Sequence, residues 1–485
     1  MKTQQELNYF VVQYSHCTEF MGNVTIGHPD DGGSTTYSSI DDLTPLGNIT
    51  TIHGNLTINH NNVLSDLNGL SSLQTIGGDL IIYENPELAN LNGLDDLLTI
   101  GGGLQLGRRD VHKIYGSLYC GSTHNMFIHY EGNDVLTDIS TLSNIDSLEY
   151  LMIIGNPGLT NLSGLDNLTT IDDDFLFIKN YNISNFSGLE NLTHIGGNLT
   201  VGRIQLETVF GPVAPDLYKH YREGNNNLTS LSGLNSLAFV GGNFTIGDND
   251  AMANIDALQQ LQSIGGSFNF YENNQIANLS GLSALTTIGG DLEFAYRYYY
   301  EFYYNLYDTE TGNHALTDLT GLENLNSING EIFITKNTAL TNLNALNNLD
   351  HTSIINLTLT FNDNLSVCNT TSICNYLESN GESEIFNNAA GCSSAEGIEN
   401  TCIVSTSTPD DLPQVTISPN PSTGMFQVKG IPQGTHQIHD TQGRIVQSGN
   451  IQNNLSINIS QETQGVYFIS IQIENEIITK RIVKM

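Results

Sequence analysis

The chain has 485 residues, and its 51 Asp and Glu against 15 Lys and Arg give a formal net charge of −36. This excludes nucleic acid as a partner, because phosphate contacts need clustered Lys and Arg. It suits a soluble, self-repelling surface protein and permits calcium at pairs such as Asp30-Asp31, with no other cofactor indicated.

Residues 1–22 read as an N-terminal cap. The start "MKTQQELNYFVVQYSHC" lacks the continuous apolar core of a signal peptide. Nor does any later run approach the roughly 20 apolar residues of a membrane span.

From residue 23 to 365 the sequence repeats. "TIHGNLTI" (51–58), "TIGGDLII" (75–82), "HIGGNLTV" (194–201) and "SIGGSFNF" (263–270) align. The first apolar strand residue falls at Leu56, Leu80, Leu104, Leu151, Phe175, Leu199, Phe244, Phe268, Leu292, Ile332 and Leu357. The step is 24 or 25 residues except for three long ones of 47, 45 and 40. "NVTIG" (23–27) adds one more unit at the start. Apolar residues at the first and third strand positions, as in Leu80 and Ile82, predict half-buried strands. Leu64, Leu67, Leu70 and Leu73 are expected to point inward from the rest of the coil. Five residues after each uninterrupted strand start stands an Asn, as at Asn61, Asn85, Asn156 and Asn180. Stacked asparagines at a corner satisfy one another's amides. One coil cannot bury its core but a stack can, so about twelve coils form a solenoid with a parallel sheet along one side.

The unit L-x-G-L-x-x-L-x-x-I-G-G-x-L-x-I-x-x-N resembles the receptor L domain, over roughly residues 20–365. The resemblance implies a right-handed, leucine-rich β-helix that serves as a binding scaffold. The segment around Cys17 resembles the N-terminal cap of such proteins, where that cysteine pairs slightly upstream. No cysteine precedes Cys17, so a partner cysteine and a signal peptide are expected to precede residue 1, and Cys120 is either free or the alternative partner of Cys17. N-x-S/T triplets such as Asn55-Leu-Thr and Asn198-Leu-Thr recur with the coil, so geometry explains them.

The long steps follow every third strand and define insertions 107–132, 202–224 and 295–312. Each begins with a small residue (Gly107, Gly202, Ala295), soon followed by Arg, and ends before a corner Asn (Asn133, Asn225, Asn313). Together they hold seven of the 15 basic residues and twelve of the 21 tyrosines. Two readings follow. The insertions cover outward sheet residues such as Ile81, Tyr83, Met152, Ile154, Leu176 and Ile178. Or they present a ligand surface, with Arg108, Arg109, Tyr115, Tyr130, Arg203, Tyr221, Arg222, Tyr296, Arg297, Tyr299 and Tyr303 as candidates. His112, His124, His129 and His220 lie in the same insertions without metal-ligand spacing.

Residues 366–404 depart from the repeat and read as a terminal cap stapled by disulfides among Cys368, Cys374, Cys392 and Cys402. A polar linker, 405–414, leads to residues 415–485, where alternating strands and Gly or Pro turns predict a small β-sandwich. That segment resembles the C-terminal sorting domain of the type IX secretion system of Bacteroidetes-type bacteria. The matching residues include Pro419, Asn420, Pro421, Gly424, Gly465, Tyr467, Lys480 and Lys484. The resemblance implies handling by that secretion machinery, followed by release or attachment at the outer-membrane surface.

The sequence shows no nucleophile–base pair, zinc motif or phosphate loop. The expectation is therefore a non-enzymatic binding or adhesion protein with a glycan or protein ligand. The alternative is a polysaccharide-degrading β-helix, which needs carboxylates on the sheet face, where Glu293 is the one acid. An ice-binding array needs ranks of outward threonines, and only Thr358/Thr360 forms a complete pair.

Overall fold

The computed structural model describes residues 1–28, 37–118, 121–202, 224–296, 311–402, 415–430, 433–452, 455–473 and 476–485, with the backbone alone at 110–129, 452 and 476–477. The chain divides into two compact units, Met1–Cys402 and Ile403–Met485.

Unit one is solenoid-like. Among the described residues its long sheet has thirteen strands, and every neighbouring pair is parallel. The strands keep one register: Leu56 stands beside Leu80, Leu80 beside Leu104, and Leu104 beside Leu151 across the first insertion. A second rank of two-residue strands, Thr75–Ile76 and its equivalents, lines another side of the coils. The spaced leucines fill the space between. Leu64, Leu67, Leu70 and Leu73 are all buried, in one core that runs the length of the unit.

The asparagine ladder explains why the register survives each insertion. The Asn61 amide donates to Asn85 Oδ1 at 2.9 Å, Asn85 to Asn133 at 3.2 Å, and Asn133 to Asn156 at 3.1 Å. The chain of contacts goes on through Asn180, Asn225, Asn249, Asn273, Asn313, Asn337 and Asn362. These side chains have no solvent exposure, and each also donates to a backbone carbonyl, as Asn180 does to Ile153 and Ile178. A buried amide left without such partners is costly, so every coil must present Asn at the same height.

Two expectations need correction. Residues 366–404 do not simply leave the repeat. Ser383–Phe386 pairs in parallel with Asn356–Thr360 as a further strand, and Asn388 accepts from Asn362 at 3.0 Å, extending the ladder. This end is closed by Cys368–Cys392 and Cys374–Cys402 and by helices Thr371–Glu378 and Ala395–Cys402. Nor are the strands half-buried throughout. The fourth strand residues Tyr83, Ile154, Ile178, Tyr271 and Thr335 are buried although they face away from the core. At the other end, helix Gln4–Tyr14 is capped by Thr3, whose hydroxyl accepts from Glu6 N–H, and it buries Leu7. Cys17 is exposed and forms no disulfide.

Unit two is an antiparallel sandwich of a three-stranded and a four-stranded sheet among its described residues. Phe426, Val428, Ile438, Ile457, Ile469 and Ile482 are among the residues of its core.

Candidate functional site

Where they are described, the first and third insertions leave the solenoid as antiparallel arms. The first is a hairpin of Arg108–Leu118 and Gly121–Glu131, with Arg109 opposite Tyr130 and Tyr115 opposite His124. The third begins the same way, since Tyr296 N–H donates to Thr311 O at 2.9 Å. The arm bases cover the sheet. Arg108 stands 5.5 Å from the Tyr83 ring centroid and reaches its hydroxyl at 3.4 Å. The Tyr296 ring meets Tyr271 edge to face at 5.0 Å. Arg203, Tyr221, Arg222, Arg297, Tyr299, Tyr303, His220, Cys120 and Asp30-Asp31 lie outside the described residues, as do the side chains of Tyr115, His112, His124 and His129. Of the predicted residues, then, the structure places Arg108, Arg109, Tyr130 and Tyr296 at arm bases. Glu293, the acid on the sheet face, is buried.

The residue before each ladder Asn turns the corner. In the uninterrupted coils this is His60, Glu84, Lys179, Asp248, Glu272, Lys336 or Phe361, all with φ between 53° and 57°. A left-handed backbone costs a side-chain-bearing residue on the order of 1 kcal/mol. Here the stacked ladder over-determines it. Gly155 occupies the same corner with φ 65°. After the arms the corner is also glycine, but for a steric reason. A Cβ on Gly132 would stand 1.5 Å from Gly155 O, and one on Gly224 would stand 1.5 Å from Asp248 O. A Cβ on Gly155 would meet nothing closer than 3.7 Å.

Two neighbouring glycine corners open a trough of about 510 Å³ at the base of the first arm. Its lining is Glu84, Pro86, Tyr130, Gly132, Asp134, Gly155, Pro157, Lys179 and Tyr181, the residues that flank the ladder in four successive coils. The Lys179 ammonium lies 3.9 Å from the Tyr130 ring centroid, a cation–π contact of about 0.5–1 kcal/mol at such a half-exposed site. Glu84 at the other end accepts from the Tyr37 hydroxyl at 3.4 Å, and its charge is the main cause that raises the Tyr37 pKa. Burial, and then Asp248, raise that of Tyr181, so both phenols remain donors at neutral pH. Sequence reasoning found Tyr130 here but missed Glu84, Asp134, Gly155, Lys179 and Tyr181. The available signal was the one uninterrupted corner without a side chain.

A second ladder also escaped notice. The residue just before the first apolar strand residue accepts from the backbone of the next coil: Asn55 Oδ1 from Asp79 N–H at 3.0 Å, Asn198 from Asn243 at 2.8 Å, and Asn243 from Ser267 at 2.8 Å. It is interrupted at Gly103, where Tyr150 of the next coil lies over the glycine, and resumes at Asp174, which accepts from Asn198 N–H at 2.7 Å. Burial pushes the Tyr150 pKa up most, followed by the charge of Asp79, which also accepts from its hydroxyl.

In unit two the predicted signal residues gather along the last strand, Glu476–Lys484. Asn420, between Pro419 and Pro421, donates to Arg481 O at 2.8 Å and accepts from Val483 N–H at 2.9 Å. Gly424, with φ 114°, passes Ser460 so closely that a Cβ would stand 2.7 Å from its Cα. Tyr467 donates to Thr463 O at 2.7 Å, two residues after Gly465 opens its strand. Lys484 is buried, and its ammonium donates to Ser460 O and Glu462 O, whereas Lys480 is exposed. Residues 416–485 match the family model of the secretion system C-terminal sorting domain. The chain ends in a type IX sorting domain. It is therefore an exported protein, and the type IX machinery handles it. Residues 16–106 match the receptor L domain, a family that suggests a binding role. No curated protein matches the chain. Among the described residues no helix is long and apolar enough to cross a membrane.

Proposed function

We propose that the exported protein is a non-enzymatic binding or adhesion protein, secreted or held at the outer-membrane surface. A right-handed, leucine-rich solenoid carries three insertions that concentrate Tyr and Arg, and these recognise a glycan or protein partner. The carrying observation is that Asn133 and Asn313 keep their places in the ladder directly after an arm. The arms are thus additions on a rigid, unbroken scaffold, an arrangement suited to recognition. Tyrosine and arginine provide large contact area and fixed donors at small entropic cost.

The test is binding of the full chain to an array of glycans and surface polymers, beside a variant lacking residues 296–311. That deletion joins Ala295 to Gly312 and restores the five-residue spacing from Leu292 to Asn313. The reading expects the variant to lose a signal while keeping its melting temperature. An intact signal on every probe, with a large fall in melting temperature, would make this arm a structural cover.

A further inference from the structure

The corner row carries a charged, polar or aromatic side chain in every other uninterrupted coil despite the left-handed backbone. At Gly155 the side chain is absent although nothing crowds its place. The trough coincides with that gap, where Gly155 follows the arm-bearing corner Gly132 and two successive corners lack side chains. Spanning four coils, it runs about 14 Å at the strand spacing. Its volume falls in the range of small-molecule clefts. Gly132, Gly155 and Pro157 line it without polar side chains, and Tyr181 and Tyr130, the latter with Lys179 over its ring, supply aromatic surface. Glu84 and Asp134 supply acceptors, and Lys179 and the phenols supply donors.

We propose that this trough binds a neutral oligosaccharide chain. The inference rests on the binding reading above and assigns it to one site. The chemistry selects the class. Hydroxyl groups both donate and accept, so they match carboxylates at one end and an ammonium at the other. The apolar faces of sugar rings match tyrosine rings. Two carboxylates against one ammonium, on a chain of net charge −36, repel uronate and sulfate polymers. The extended shape fits successive rings better than one compact molecule.

The test is titration calorimetry of the full chain with cellohexaose, mannohexaose and xylohexaose, beside oligogalacturonate and an oligolysine peptide. The Gly155→Asn variant is measured in parallel. Asn387 holds the equivalent corner at φ 54°, and the Cβ has room, so this variant should fold and melt like the parent. We expect at least one neutral hexasaccharide to bind, no binding of oligogalacturonate, and at least about tenfold weaker sugar binding in the variant. Tyr181→Ala should weaken it as well. Neutral sugar binding that Gly155→Asn leaves unchanged, but arm deletion abolishes, would overturn the trough and leave the binding reading standing. Binding of oligolysine alone would overturn the ligand class. Silence with all of these ligands, together with silence on the wider array, would overturn both.

Discussion

Gly132 and Gly155 sit one coil apart at the same corner of the solenoid, and they are there for different reasons. Gly132 ends an arm, and the next coil presses its backbone oxygen into the space a Cβ would need. Gly155 belongs to an uninterrupted coil and has room to spare. A glycine at an arm-bearing corner is thus a requirement of stacking, whereas at this uninterrupted corner it is a choice that leaves a surface open. The same contrast runs along the whole unit. The Asn-to-Asn ladder beneath the corners runs alike through both kinds of coil, although among the described residues Asn133, Asn225 and Asn313 lack the bond that Asn85, Asn156 and Asn180 also make to the carbonyl two residues back.

The largest expected effect tests that equality. Asn180→Ala would remove a donor from the carbonyls of Ile153 and Ile178, the latter keeping Gly155 N–H, and leave the Asn156 N–H without its side-chain acceptor. At about 1–3 kcal/mol for the buried unsatisfied N–H and about 0.5–1.5 kcal/mol for each of the two other lost hydrogen bonds, the loss should be about 2–6 kcal/mol. Asn133→Ala, beside an arm, should cost a similar amount in urea unfolding. A much smaller loss at Asn133 would mean that the arm-bearing coils are held by other contacts. Next comes the glycine pair. Gly132→Ala should cost more than about 2 kcal/mol, since backbone must move. Gly155→Asn should change stability by less than about 0.5 kcal/mol, because Asn tolerates the left-handed region. Equal losses at the two sites would remove the distinction. The smallest effect concerns pH at another uninterrupted corner. Burial lowers the His60 pKa, although Glu84 opposes the shift and His28 adds to it. The unfolded chain then binds the extra proton first, so stability present above pH about 6.5 should decline as pH falls through the lowered value. His60→Gln should flatten that part of a melting-temperature series, and an unchanged slope would assign the acid sensitivity elsewhere.

What could be read from the sequence follows what the fold forces to repeat. Buried side chains must recur at fixed spacing, so the strand rows and Asn61 to Asn362 were legible. The extra strand at Ser383–Phe386 was missed because Ser383 replaces the usual apolar first residue, although Asn388 keeps the five-residue spacing. The second ladder was hidden because Asn, Asp and Ser serve equally as acceptors at Asn55, Asp79 and Ser267. The candidate site was only partly legible. Arg108 and Tyr296 were found through their composition, yet their contacts with Tyr83 and Tyr271 depend on how an arm folds back, which no period encodes. The trough was least legible of all, since its mark is a missing side chain in a row whose residues vary from His60 to Phe361. In the sorting domain, Asn420 and Lys484 were legible as a motif, but their shared role at the last strand required coordinates.

The most direct test of an unbroken scaffold carrying added arms is removal of residues 108–131, which joins Gly107 to Gly132 and leaves Asn133 five residues after Leu104. The account predicts a folded protein with one cooperative melt. Its melting temperature should fall only by the loss of cover over Tyr83, a few degrees at most for a unit of this size. Loss of cooperative unfolding, or exchange of the Asn85 and Asn156 amides at unprotected rates, would show that the first arm is part of the scaffold and contradict the account.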